Sequence, residues 1–430
     1  MPNSHLTWAI AVTGLAIIGQ DAAGPAAIIG ADALRRHTVE LADDRYEGRG
    51  AGYPGERRAA DYIAAEFRRI GVAPAGDSGG YFQEFTFHPT HPVTPWEILT
   101  SRNVIGRIDG ADPSLRHEIV VIGAHYDGQG RTGQADPFRA TPAGATNDEI
   151  WNSANDNAAS VAAVLEIARA IRQSAVAPAR SVLLVAFGAE EHGMAGSMHY
   201  VAHPAAPLSD HVAMINLEKI GLTPEKRFNT SGNATSPVWT DVLKAAQQQT
   251  ATQIVTSNPF AIPESDHYPF AASRVPAIML YVSMVPAHQP SDVADRIDFN
   301  DVAQAARVAL LMSLDISRRP QRPSYAPSPI PDLGVSLHLA TAAEADARGV
   351  AQPYGGLKVT GVIRGLPADK AGLRAGDLIV DFANHQFRRD DSLPALMALQ
   401  REVLEGKHGF SLPLKVVRGQ NRLDLVMNLR

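Results

Sequence analysis

Seven histidines and carboxylates of this chain stand out as able to hold and use metal ions: His125, Asp127, Asp156, Glu190, Glu191, Glu218 and His267. They fall in five short segments, AHYDG (124–128), NDNAAS (155–160), GAEEHG (188–193), NLEKIG (216–221) and SDHYPF (265–270). A borderline cation such as zinc accepts imidazole nitrogen and carboxylate oxygen, and a pair of such ions needs about five protein ligands with one carboxylate shared. These residues meet that demand and leave a carboxylate free to move protons.

The flanking sequence supplies elements to position them. RHEIVVIGAHYD, SVLLVAFGAEE and HVAMINLEKIG are strand-like apolar runs that end on the polar residues. Asp156 opens NDNAASVAAVLEIARAIRQ, whose apolar residues recur at helical spacing, and Asp or Asn at such a start is expected to cap the helix. Strands alternating with helices imply an α/β fold whose mostly parallel sheet is covered by helices on both faces. Ligands bind such sheets beyond the carboxyl ends of the strands, where three of the segments stand.

With those motifs in order, the chain resembles the di-zinc aminopeptidase family. That family includes bacterial leucyl aminopeptidases, glutamate carboxypeptidases and, more distantly, glutaminyl cyclases and the transferrin receptor. The resemblance runs from about residue 30 to 315 and takes in RRAADYIAAEFRRIGVAPAG and YFQEF, similar to the family's entry helix and first strand. It implies two zinc ions per chain. His125, Asp156 and Glu218 would hold one and Asp156, Glu191 and His267 the other, with Asp156 bridging and Asp127 orienting His125. Glu190 would be the general base for a hydroxide bridging the metals. The implied activity is removal of the N-terminal residue from peptides with a free amino terminus. A one-zinc acyltransferase like the glutaminyl cyclases, or a peptide-binding protein without catalysis, are the alternatives. HQPSD (288–292) resembles a family segment at the pocket rim. Glu218 stands where Asp is common in the family. Lys219 follows it, and strand alternation directs that side chain away from the metals. Whether Arg131 or Arg139 reaches the pocket to bind a substrate carboxylate is left open by the sequence.

GDSGG (76–80) has the look of a serine nucleophile motif, but a helix precedes it and a strand follows, the reverse of a nucleophile elbow. Its Gly, Asp and Ser are turn residues.

Composition is that of a globular enzyme, with 430 residues, 45% hydrophobic and 20% charged. A formal charge of −6 without basic runs argues against a nucleic-acid partner. Cysteine is absent, which excludes disulfides, thiolate ligands and a thiol nucleophile. The apolar stretch LTWAIAVTGLAIIG (6–19) has the length of a signal peptide and is short for a membrane span. Residues 1–23 are therefore expected to be a leader, and the mature chain to be periplasmic or secreted with no membrane span. A zinc peptidase domain is expected over 24–318, a Pro-rich linker over 319–331, and a second domain over 332–430. In that last part, GLPADKAGL, AGDLIV and a closing VVRGQNRLDLVMNL resemble a bacterial PDZ domain. The family binds peptide C-termini through backbone N–H groups of a short loop, here matched by Leu333, Gly334 and Val335. The two domains are expected to be separable, with small substrates cleaved by the first alone.

Overall fold

The computed structural model describes residues 24–429 apart from 91, 93, 95, 133–147, 176, 224, 283–286, 330, 331, 392–400 and 404. The expected leader (1–23) and Arg139 lie outside the described residues. Among the described residues no helix is long and apolar enough to cross a membrane.

A mixed sheet organises the first domain. Its strands are β1 (Ala73–Pro74), β2 (Phe82–Phe87), β3 (Leu99–Ile108), β4 (Ile119–His125), β5 (Ser181–Phe187), β6 (His211–Glu218), β7 (Arg227–Ser231), β8 (Gln253–Asn258) and β9 (Ala277–Tyr281). They lie in the order β1-β3-β5-β4-β6-β9-β7-β8, with β2 pairing β3 at one side. The centre, β5-β4-β6-β9, is parallel throughout, while β3 joins β5 and β7 joins β9 antiparallel.

Both faces of that centre are buried, which explains the unbroken apolar runs. In β4, Val120, Ile122 and Ala124 face one core, while Ile119 and Val121 face the other. The first core is closed by α1 (Ala31–Leu41), α2 (Pro54–Ile70), α3 (Ala159–Gln173), α5 (Val238–Thr250) and α7 (Phe299–Arg318). The second is closed by α4 (Ala195–Ala202) and α6 (His267–Ala272), whose Tyr200 and Phe270 rings stack at 5.5 Å. Helix α2 starts on Pro54 and stops at Gly71, whose left-handed φ of 82° turns the chain into β1. GDSGG forms a single turn after α2, with Ser78 exposed.

The Pro-rich segment is an extended strap pinned to the first domain: Ala326 N donates to Thr235 O (2.7 Å), and the Arg322 guanidinium to His211 O (3.0 Å). Beyond it an antiparallel sheet follows, β10 (Val335–Leu339), β11 (Leu357–Val362), β12 (Leu378–Phe382), β13 (Ser411–Arg418) and β14 (Asn421–Asn428), paired in that order. Helix α8 (Ala342–Ala347) carries a capping box between Thr341 and Glu344. A separate apolar core holds this unit together.

The second domain leans on the first. Met194, Met198, Tyr268 and Ala272 form one apolar cluster with Ile363 and Leu366. Lys358 Nζ donates to Pro89 O at 2.7 Å, and the Arg348 guanidinium lies 3.3 Å over the Trp96 ring. Tyr268 donates a hydrogen bond to Asp332.

Candidate metal centre

Four parallel strands end side by side, and each delivers a polar group to the same place. His125 is the last residue of β4, Glu190 and Glu191 follow β5, Glu218 ends β6, and His288 follows β9. Asp156 comes from the wide turn Ala154–Ala158 that leads into α3. It does not cap the helix, since no side chain caps α3; its carboxylate is turned into the cluster instead.

Among the described residues, three carboxylate–histidine groups have ligand atoms close enough for one ion: His125, Asp156 and Glu218; Asp156, Glu191 and His288; and His125, Glu190 and Glu191. The first two share Asp156. His125 Nε2 lies 3.2 Å from Asp156 Oδ1 and 3.4 Å from Glu218 Oε2. His288 Nε2 lies 3.1 Å from Asp156 Oδ2 and 3.2 Å from Glu191 Oε2.

The sequence expectation for His267 is corrected here. His267 is fully buried at the start of α6, its Nε2 3.3 Å from Ser231 Oγ, and it joins none of the metal-capable groups. Its place is taken by His288. The motif around His267 does serve the site through Ser265, whose hydroxyl donates to Glu218 Oε2 at 2.8 Å. A signal for His288 was present: AIMLYVSMVPAHQPSD is a fourth apolar run ending in a histidine with an aspartate shortly after, as in AHYD.

Lys219 is a second correction. Its φ of 51° breaks the strand alternation just past β6, and Asn157 Oδ1 holds its N–H at 3.1 Å. The side chain therefore turns toward the cluster, with Nζ 2.9 Å from Glu218 Oε1 and 3.9 Å from Asp156 Oδ2.

Supporting residues fix the ligands. Asp127 accepts from the backbone N–H of Glu190 (3.0 Å) and Glu191 (3.2 Å), so one carboxylate holds the loop that carries both glutamates. Its Oδ1 also lies 3.5 Å from His125 Nδ1, which faces the Asp127 carbonyl at 3.2 Å. Asp292 does the same for the Asp156 turn, accepting from Asn155 N (2.7 Å) and Asp156 N (3.0 Å). Beneath both, the buried Arg49 guanidinium donates to the carbonyls of Leu41, Tyr126, Asn152 and Ser153. His192 is no ligand: its Nδ1 meets Thr90 Oγ1 at 2.9 Å and its ring stacks on Phe87. Arg131 is turned toward Glu149, 3.5 Å away.

This arrangement is short of positive charge. Burial pushes the Glu190 carboxyl well above its usual range, against the pull of His125 and with the push of Glu218 and Asp266. Burial would also raise Asp156, but Lys219, His125 and His288 together hold it well below. His288, despite burial, is drawn up to about 10 by Glu191 and Asp156. Burial lifts Asp266 to about 7 and Asp292 to about 6.

The donor set fits zinc. With Nδ1 of His125 facing acceptors on Asp127, its proton belongs there, and a lone pair at Nε2 then points at carboxylate oxygens. Only a cation or a second proton makes that attractive. Glu191 Oε1 is moreover a buried acceptor without a hydrogen-bond donor.

Residues 103–313 match peptidase family M28, and residues 331–429 match the PDZ domain. The two matches follow one another in the order of the two domains described above. Aminopeptidase YwaD of Bacillus subtilis (strain 168) is 30% identical over 177 residues, 40% of this chain and 33% of that protein. The chain thus spans about a third of the length of that curated relative. Among solved structures, the LapA aminopeptidase of Legionella pneumophila superposes with a TM-score of 0.53 at 18% identity, over 69% of this chain and 74% of that one. The glutaminyl cyclase of Porphyromonas gingivalis gives 0.52 at 20% identity, over 66% and 98%. At such identities the two structures speak for the fold alone.

In the PDZ domain, Leu333 O accepts from Ala368 N (3.0 Å) and Gly334 O from Ile363 N (2.8 Å). Gly334 adopts φ 68°, and its N–H is held by Asp332 Oδ1 at 3.0 Å. One of the three expected carboxylate-binding groups is thus engaged by the chain's own carboxylate.

Proposed function

We propose that the chain is a zinc-dependent aminopeptidase working with two metal ions. His125, Asp156 and Glu218 would hold one and Asp156, Glu191 and His288 the other. The observation that carries this reading is the pair of matched ligand groups sharing Asp156 at the ends of the parallel strands. When bound, the metals would supply a water acidic enough to ionise near neutral pH and would polarise the scissile carbonyl.

The rest falls to the chain. Glu190 is held in place by Asp127 through its backbone N–H, and its carboxylate Oε2 stands 3.9 Å from His125 Nε2. It would take the proton of the attacking water and return it to the leaving amine, a task suited to a carboxyl with a raised pKa. Asp127 keeps His125 in the tautomer that presents Nε2 to the cluster. The substrates would be peptides with a free N-terminus, and peptide C-termini would engage the PDZ domain. Residence outside the cytoplasm, in periplasm or medium, belongs to the same proposal.

Elemental analysis together with hydrolysis of aminoacyl-anilides and N-blocked dipeptides tests this. Near two zinc per chain and cleavage of the anilides alone are expected. A stoichiometry fixed at one zinc, with cyclisation of N-terminal glutamine, would favour the cyclase-like reading, which the P. gingivalis enzyme's likeness in fold keeps in play.

A further inference from the structure

The two ligand groups are chemically alike. Each has one histidine, one glutamate of its own and the shared Asp156. They differ in one neighbour, the Lys219 ammonium: it is 2.9 Å from Glu218 Oε1, a ligand of the first group alone, and 3.9 Å from Oδ2 of the shared Asp156. Among the described residues no ammonium or guanidinium forms an ion pair with Glu191, whose partner is His288. The buried Arg49 beneath the cluster gives its hydrogen bonds to main-chain carbonyls.

The lysine is built into this position. Its left-handed backbone is fixed by Asn157 Oδ1, and the same Asn157 amide donates to Leu217 O at 3.0 Å and to Glu218 Oε2 at 3.3 Å. Ser265 takes Glu218 Oε2 as well, at 2.8 Å. Glu218 is thus gripped on one oxygen by Asn157 and Ser265 and on the other by Lys219.

We propose that Lys219 makes the two metal positions unequal. The Asp156–Glu191–His288 position fills first and tightly; the His125–Asp156–Glu218 position fills second and weakly, because a metal there must share its carboxylates with a fixed ammonium. In the metal-poor chain the same ammonium offsets the repulsion between Glu218 and Asp156 and keeps the site assembled. A monovalent and a divalent cation about 6 Å apart repel by roughly tenfold in affinity even in a medium as polarisable as water. The inference rests on the two-metal reading given above, and goes beyond it in ranking the positions and naming the residue that ranks them.

Zinc titration of the full chain against a chromophoric chelator tests it without any turnover. Wild type should bind in two steps separated by about tenfold or more. Lys219→Met should tighten the weak step by about that factor and the tight step by less, while Lys219→Arg keeps the separation. Glu191→Gln should weaken the tight step. Freed of metal, Lys219→Met should melt below the metal-free wild type, and the two should melt alike when saturated with zinc. Two equal steps in the wild type, or a Lys219→Met titration matching wild type, would overturn the inference and leave the two-metal reading standing. A single step at every zinc concentration in both proteins would overturn both.

Discussion

Buried charge is handled in opposite ways in the two domains. In the PDZ domain it comes in pairs. Lys358 meets Glu344, both almost wholly buried, and Arg418 clasps Asp377 through two bonds of 2.7 Å. At the polar edge of the peptidase sheet, Asp127, Asp156, Glu190, Glu191, Glu218, Asp266 and Asp292 are buried together. They share two histidines, Lys219 and, from beneath, Arg49. Burying like charges side by side is costly unless something compensates. A pair is a structural device, whereas a surplus of one sign marks a place that waits for ions.

The largest effects should come from thinning that surplus. Asp156→Asn is expected to lose most of both metals and, with them, measurable turnover. Its chelator-treated form should be no less stable than chelator-treated wild type, because one repelling carboxylate is gone. Glu190→Gln should keep its zinc and fall by roughly 10²–10⁴-fold in rate. Zinc content, melting and single-turnover kinetics check these together. A Glu190→Gln protein that stays active but loses zinc would mean that Glu190 and Glu191 have exchanged roles.

The next effect concerns where the two domains meet. The sequence suggests a separable module, since every expected ligand precedes the Pro-rich segment. The structure places the second domain's sheet against the loop that carries Glu190 and Glu191: a Cβ on Gly193 would lie 2.7 Å from Thr360 Oγ1 and would collide with Ser336. Residues Met194 and Met198, just after Glu190–Glu191, pack on Ile363. Tyr268, bonded to Asp332, starts three residues after Ser265, which grips Glu218. A chain ending at Arg319 is therefore expected to lose roughly 10–100-fold in kcat on a short anilide through misplaced ligands, even where it folds and binds zinc. Full activity of a folded, zinc-loaded truncation would restore the modular picture.

Much of this was legible in the sequence because the α/β plan writes itself in composition. Buried parallel strands must be apolar on both faces, so the abrupt polar ends of β4, β5 and β6 stood out. His288 was harder to read, because it stands well past Tyr281, the last residue of β9, so its apolar run meets the polar residues less abruptly than the others do. His267 carried the stronger local pattern, and burial turned that histidine into a core residue. Lys219 was missed for a backbone reason: alternation holds only inside a strand, and the chain leaves the extended region at that residue. The contact between domains leaves no periodic trace, since Gly193, Thr360 and Tyr268 are distant in sequence and ordinary in type.

A pair in the PDZ domain offers the reverse of the first prediction. Lys358→Met strands the buried Glu344 carboxylate and should destabilise that domain by about 3–5 kcal/mol. Changing Glu344 as well, to Gln, should recover a large part. Part of the loss should remain, because Lys358 Nζ also donates to Pro89 O at 2.7 Å, a bond that methionine cannot make. Urea titrations of the single and double variants measure it. If the single variant were neutral, the contrast between paired and surplus charge would fail on its structural side.

The smallest effect separates the domains by pH. His211 is buried in the peptidase domain, and burial lowers it to about 4 despite its bond to the Pro207 carbonyl. That carbonyl, 3.1 Å from Nδ1, can only accept, so the proton sits on Nδ1 and Nε2 accepts from Tyr200 at 2.7 Å. The unfolded chain takes up a proton near pH 6.5, whereas the folded chain resists until about pH 4. The stability this neutral histidine brings is therefore whole above pH 6.5 and drains as pH falls toward 4, by up to about 1.4 kcal/mol per pH unit. His267, also buried and lowered to about 4, adds a slope of the same sign. Both buried histidines belong to the first domain, whereas His338, His385 and His408 of the second are half-buried or exposed. Urea midpoints of chelator-treated protein at pH 7 and pH 5 should differ accordingly, with metal release removed as a cause, and His211→Gln should flatten the difference. An unchanged slope in that variant would trace acid sensitivity to the carboxylates of the metal centre instead, and so return it to the surplus charge.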